Sequence, residues 1–179
     1  MRTLYLERSV STGRNGAWAS ELDLHDVDRI VVGIGPGSFA GIRSALAFAK
    51  GFAVGRSCEV LGLPSPCALA ANHAEEPLAV IGDARGGQYW IALFDGFKLV
   101  CPVFQVSKDE LHLRVPLAAK VVTPDAARID ELLKEIFAER YLGGEVPTDD
   151  GLRRFAEANP KALQTDPLPI YLNPAVRAP

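Results

Sequence analysis

A mixed α/β fold built from two similar strand-first halves is predicted by three features of the sequence. Short β-branched runs, Ile30–Val32 and Leu78–Ile81, read as buried strands, and helical patterns follow them in each half. Thr3–Ser9 and Leu78–Arg85 each place an acid just past an apolar strand, a sign of internal duplication. The 179 residues are 48% hydrophobic and 23% charged, enough apolar material for one domain or two small lobes.

The elements follow in order. Thr3–Leu6 is a strand, and Asn15-Gly16 marks a turn within the polar stretch 11–16. Ile30–Val32 continues past Gly33 into a glycine-rich loop, Gly33–Arg43, where Ser38 is placed to cap the helix that follows. That helix is apolar nearly all round, with Leu46, Ala49 and Ala53 on one face and Phe48 and Phe52 on another. It needs cover on more than one side, from its own fold or from another chain. Cys58–Leu63 returns as a strand, and Pro64 and Pro66 open a short helix ending near His73. The polar stretch 72–77 sets a lobe boundary, giving lobes 1–76 and 77–179.

In the second half, Gly82–Gly87 turns Leu78–Ile81 into Gln88–Phe94. That strand is apolar on both faces and therefore central. Asp95-Gly96 signals a two-residue hairpin, and Pro102 marks an edge or an end in the strand Phe97–Val106. Ser107–Arg114 is a brief helix and Ala119–Val122 a strand. Thr123-Pro124-Asp125 then starts a helix whose Ile129, Leu132, Leu133, Ile136 and Phe137 form one buried stripe. A shorter helix near Leu152–Ala158 precedes a tail whose prolines preclude regular helix.

Charge and cysteine usage narrow the function. Lys and Arg number 19 against 22 Asp and Glu, a net charge of -3, so no global positive field draws nucleic acid, and any RNA contact is local or borrowed from a partner. Glu7 and Arg8 stand where a signal peptide would be apolar, and no run reaches the ~20 apolar residues of a membrane span; a soluble cytoplasmic protein is expected. Cys58, Cys67 and Cys101 are odd in number and lack CxxC spacing, which predicts small buried thiols.

The glycine loop is the foremost candidate for chemistry, because closely spaced glycines bring backbone amides to a phosphate or to another backbone. Gly35–Ala40 fits a relaxed G-x-G-x-x-A dinucleotide fingerprint, but the acid expected ~20 residues on is Glu59, at the wrong end of its strand. No Gly-Lys-Ser/Thr or G-x-S-x-G occurs. His25, His73 and His112 lack the paired spacing of metal ligands and read as surface or capping residues. Asp83 with Arg85 forms a candidate charged site at a strand end, or a turn acid with a solvated neighbour.

Three segments carry a family resemblance. GIGPGSFAGIRSALAFAKGFAVG, residues 33–55, resembles the GPGSFTGIR-helix segment of the TsaB (YeaZ) family. DARGGQYWIALFDG, residues 83–96, is similar to its DARRGEVY hairpin, and PIYLNP, residues 169–174, to its P-x-YLR-P tail. The resemblance implies a two-lobed actin/hexokinase/Hsp70-like fold. It also implies an inert subunit, without metal or cofactor, in making threonylcarbamoyladenosine at position 37 of tRNA. The implied partners are a catalytic homologue, TsaD, and an ATPase, TsaE, with tRNA reached through the complex; a homodimer is the alternative assembly. The family's partner surface falls on Arg43, Ser44, Ala45, Leu46, Phe48, Ala49, Phe52 and Ala53. Beside it lies the loop of Gly35, Pro36, Gly37, Ser38, Phe39 and Gly41. This chain departs from the family in having Glu7-Arg8-Ser9 for Asp-Thr-Ser, Ala40 for Thr, and a first lobe too short for the usual two strands and helix before Asp28. The rival function is an independent dinucleotide-dependent enzyme or protease using Gly35–Ala40.

Overall fold

The computed structural model describes residues 1–10 and 22–172. The expected Asn15-Gly16 turn and the last two residues of PIYLNP lie outside them. The elements are β1 (Thr3–Leu6), β2 (Arg29–Gly33), α1 (Phe39–Ala53), β3 (Glu59–Leu63), α2 (Cys67–Ala70), β4 (Pro77–Arg85) and β5 (Gln88–Asp95). They continue with β6 (Lys98–Leu99), β7 (Phe104–Ser107), α3 (Leu111–Arg114), β8 (Lys120–Thr123), α4 (Ala126–Phe137), β9 (Tyr141–Gly144), α5 (Asp149–Ala158) and β10 (Gln164–Thr165).

They form two sheets. β1, β2 and β3 run parallel, with β10 antiparallel at the β3 edge. The second sheet runs β6-β5-β4-β8-β9, with β7 also paired to β5. Its centre is β4, antiparallel to β5 and parallel to β8. Strand alternation then divides the core into layers. Ile30 and Val32 face α1, while Val31 faces α2 and α5 between the sheets. In β4, Leu78 and Val80 join that central layer, and Ala79 and Ile81 pack outward against α3 and α4. The order α1, sheet, α2 with α5, sheet, α3 with α4 buries both faces of each sheet, which explains the continuous apolar runs.

Ser38 caps α1 as expected, its hydroxyl accepting from the Gly41 amide at 3.3 Å. The α4 stripe is also as expected: Ile129, Leu133 and Phe137 are buried, and Leu132 and Ile136 partly so. Tyr89, Ile91 and Leu93 face one layer and Trp90, Ala92 and Phe94 the other.

Several local expectations are corrected. β4 runs through Arg85, so the turn is Gly86-Gly87 alone, with φ of +61° and +76°; Gly82–Arg85 stay in the strand because pairing continues through Asp83↔Tyr89 and, past an irregularity, to Arg85↔Gln88. The next hairpin turns at Gly96-Phe97, one residue later than expected, since Asp95 pairs with Lys98. The Phe97–Val106 strand splits into β6 and β7 around Pro102, which has no amide to donate. Asp125, not Thr123, is the α4 N-cap; the Thr123 hydroxyl accepts from the Asp125 amide at 3.0 Å instead. Of the three cysteines only Cys67 is buried, Cys58 and Cys101 being half-buried, and all three are free thiols. β9 and β10 carry too little apolar alternation to be read in the sequence.

Candidate functional site

A cleft of about 640 Å³ opens between the two sheets, bounded on one side by Ser9, Gly37, Ser38 and Phe39 and on the other by Asp83, Arg85 and Arg128. The glycine loop forms one wall. Its amides are turned inward: Gly35 N donates to Ser65 Oγ at 3.0 Å, and Ser38 N to the Ser9 carbonyl at 2.5 Å. The glycines are there for close approach, since a Cβ on Gly37 would sit 2.3 Å from Ser9 O and one on Gly41 2.0 Å from Arg8 O. The loop is thus a tight crossing of two backbone segments, and Pro36, Gly37 and Ser38 line the opening together with Phe39 at the start of α1. Glu59, the acid required by the dinucleotide reading, is ion-paired to Arg29 at 2.7 Å across β2 and β3.

The opposite wall is a closed charge network. Asp83 is 15% exposed at its side chain; its Oδ2 accepts from Arg128 Nε at 2.8 Å and its Oδ1 from the Arg85 amide at 2.8 Å. Asp125 Oδ2 accepts from the Asp83 amide at 2.9 Å, and Asp125 also pairs with Arg128. Arg85 projects from the hairpin with φ of +70°, its guanidinium 3.5 Å from Asp83 and 69% exposed. The candidate pair Asp83 and Arg85 is therefore brought together, with Arg128 as the stronger partner. Arg128 lies three residues beyond Asp125 on an exposed helix face, where the sequence gives no signal for it.

The α1 residues divide sharply. Ala45, Leu46 and Ala49 are buried against β2 in the chain's own core, together with Ile42. Arg43 and Ser44 are exposed, and Phe48, Phe52 and Ala53 half-buried. The expected partner surface thus loses Ala45, Leu46 and Ala49, which are already covered. The outward face adds Ala47, Gly51 and Val54, the last 77% exposed. Arg43 lies over the Phe39 ring at 4.9 Å, Tyr171 packs on the same ring at 5.4 Å, and Arg56 lies over Phe52 at 4.3 Å.

Beneath the loop is a buried acid whose surroundings the sequence does not reveal. Glu7 is 5% exposed, and its Oε1 accepts from the Ser9 amide at 2.6 Å. Burial pushes its carboxyl above the usual range, against the pull of hydrogen bonding from Ser9 and Ser65. Its backbone amide donates to Asp149 Oδ1 at 2.6 Å, and Arg8 grips Asp149 through two nitrogens at 2.7 and 3.2 Å. Among the described residues, no group of three or more His, Cys, Asp or Glu is disposed to hold a metal. His73 is paired to Glu145 at 2.5 Å and His25 to Asp26 at 2.9 Å. No described helix is long and apolar enough to cross a membrane.

Two sheets with helices on their outer faces and between them, enclosing a cleft, define an actin/hexokinase/Hsp70-like protein. Two Pseudomonas aeruginosa structures share the fold, one a YeaZ and the other a protein with similarity to peptidase YeaZ. They superpose with TM-scores of 0.70 and 0.71 at 18% and 17% identity, covering 95% and 96% of this chain and 99% of each of theirs. A family model described as TsaD, tRNA N6-adenosine threonylcarbamoyltransferase, matches residues 17–149, and the chain belongs to that family. Within it the kinship is of the TsaB/YeaZ type. Escherichia coli TsaB, a tRNA threonylcarbamoyladenosine biosynthesis protein, is 33% identical over 76 residues, covering 40% of this chain and 33% of that protein. An uncharacterized protein of Mycobacterium tuberculosis is 32% identical over 88 residues, 49% of this chain and 42% of its own length.

Proposed function

We propose that this chain takes part in making threonylcarbamoyladenosine in tRNA as a non-catalytic scaffold, docking a TsaD-like catalytic homologue on the outer face of α1. The observation that carries this reading is that face itself. Phe39, Ala47, Gly51 and Val54 stand exposed beside Arg43 and Ser44, while the helix's other side is filled by its own sheet. A face of small and aromatic residues permits close helix approach, and ~800 Å² per partner suffices for a stable pair. A TsaE-like ATPase and tRNA join through that complex, and the chain works in the cytoplasm. The lobes divide at 76/77, with β10 crossing back from the second to complete the sheet of the first. The dinucleotide or protease alternative is disfavoured by the inward amides of Gly35 and Ser38.

Co-expression with a TsaD-like chain tests the proposal. Ala47→Glu should abolish co-purification while leaving the thermal transition of the isolated chain unchanged, and an intact complex would refute the surface. Omitting the chain from a reconstituted modification assay should remove product. Tight NAD binding in a calorimetric titration would favour the rival enzyme.

A further inference from the structure

The buried acid at the end of β1 has no part in the docking surface, yet it sits where three segments meet. Its Oε1 holds the Ser9 amide, its own amide holds Asp149 at the start of α5, and Ser9 in turn accepts from Ser38 at the head of α1. Its other oxygen, Oε2, is buried and without a hydrogen-bond partner. A Cβ on Gly33 would stand 1.9 Å from Oε2 and 2.9 Å from Ser65 Oγ, so β2 leaves room there for the carboxyl and for nothing larger. A buried carboxylate with an unsatisfied oxygen is costly, whereas the neutral acid gives up far less hydration.

We propose that Glu7 is a proton-operated latch: as a neutral acid it ties β1, the glycine loop and α5 together, and when it ionises the tie loosens. The charged and titratable groups around it oppose ionisation on balance. Asp149, on α5, adds negative charge, and the Cys67 thiol on α2 is itself held neutral by burial. Arg8, the neighbouring cation, is engaged with Asp149. Ser9 and Ser65 supply hydroxyls but no countercharge. The latch needs no partner chain, so it stands or falls apart from the docking proposal.

The sign follows from linkage. A carboxyl raised in the folded state binds its proton there over a pH range in which the unfolded chain has lost it. Stability is then full below the ordinary glutamate value of ~4.3 and declines as pH rises toward the folded value. The intact 179-residue chain and Glu7→Gln, which has the same shape and no titration, are compared by thermal denaturation from pH 5 upward. The wild-type midpoint should fall relative to Glu7→Gln by about 3 °C for each pH unit within that window. Parallel profiles would overturn the latch. Infrared spectroscopy provides a second measurement, independent of whether Glu7→Gln folds: as pH rises, a protonated-carboxyl stretch should persist in the folded wild type after the other carboxyls have ionised. Ionisation of every carboxyl together, over the ordinary carboxylate range, would overturn it. Hydrogen exchange at the Ser9 and Ser38 amides should accelerate as that stretch disappears, and unchanged protection there would refute the loosening.

Discussion

Gly41 and Gly51 occupy the same helix and meet opposite surroundings. A methyl at Gly41 would be driven into the Arg8 carbonyl, whereas one at Gly51 meets nothing within 4 Å. Gly41→Ala should therefore destabilise by about 1–3 kcal/mol, as overpacking does, while Gly51→Ala should stabilise by about 0.5–1 kcal/mol because alanine loses less backbone freedom on folding. Urea titration of the two variants checks both signs. Cys67 makes a parallel contrast among the thiols. Burial raises its pKa well above the ordinary thiol value, so alkylating reagent at pH 8 should spare it until the chain unfolds, as mass spectrometry of labelled peptides will report.

Among the elements, α4 is the simplest to test, because its stripe meets β8 and β4 without any other role. Leu133→Ala should cost about 2–5 kcal/mol, read as a lowered urea midpoint. α4 was also the most legible element, since the spacing from Ile129 to Phe137 is an unbroken helical period with polar residues between. α1 was legible as a helix but not in its orientation. Its apolar residues surround the axis, so only the position of β2 decides that Ala49 is core and Ala47 surface. Ala49→Glu should unfold the chain where Ala47→Glu spares it, and circular dichroism separates the two. The Asp-Gly turn was read to within a residue but the Gly82–Gly87 turn was begun four residues early, because glycine pairs mark a reversal while strand register fixes its place. The candidate site was half legible. The glycine loop and Asp83 stood out as motifs, whereas Arg128, Asp125 and the partners of Glu7 come together only through packing between distant segments.

Across the whole molecule the two sheets share one central layer. Phe155 of α5 is fully buried there, edge-on to Phe94 at 5.9 Å and to Phe97 at 5.7 Å, beside Val31 and Leu61 from the other sheet. Unfolding should therefore be a single cooperative event, with tryptophan fluorescence and far-ultraviolet circular dichroism giving coincident transitions. Separated transitions would show that the sheets melt independently. The same arrangement has a consequence for biosynthesis. The inner face of the first sheet is closed by α5 and its β3 edge by β10, while Ile170 donates to the Ile34 carbonyl at 2.8 Å. During translation, the inner face of the earliest strands stays partly uncovered until residues 149–170 have left the ribosome. Chaperone dependence in the nascent state is the expected cost of joining distant stretches of chain in one sheet.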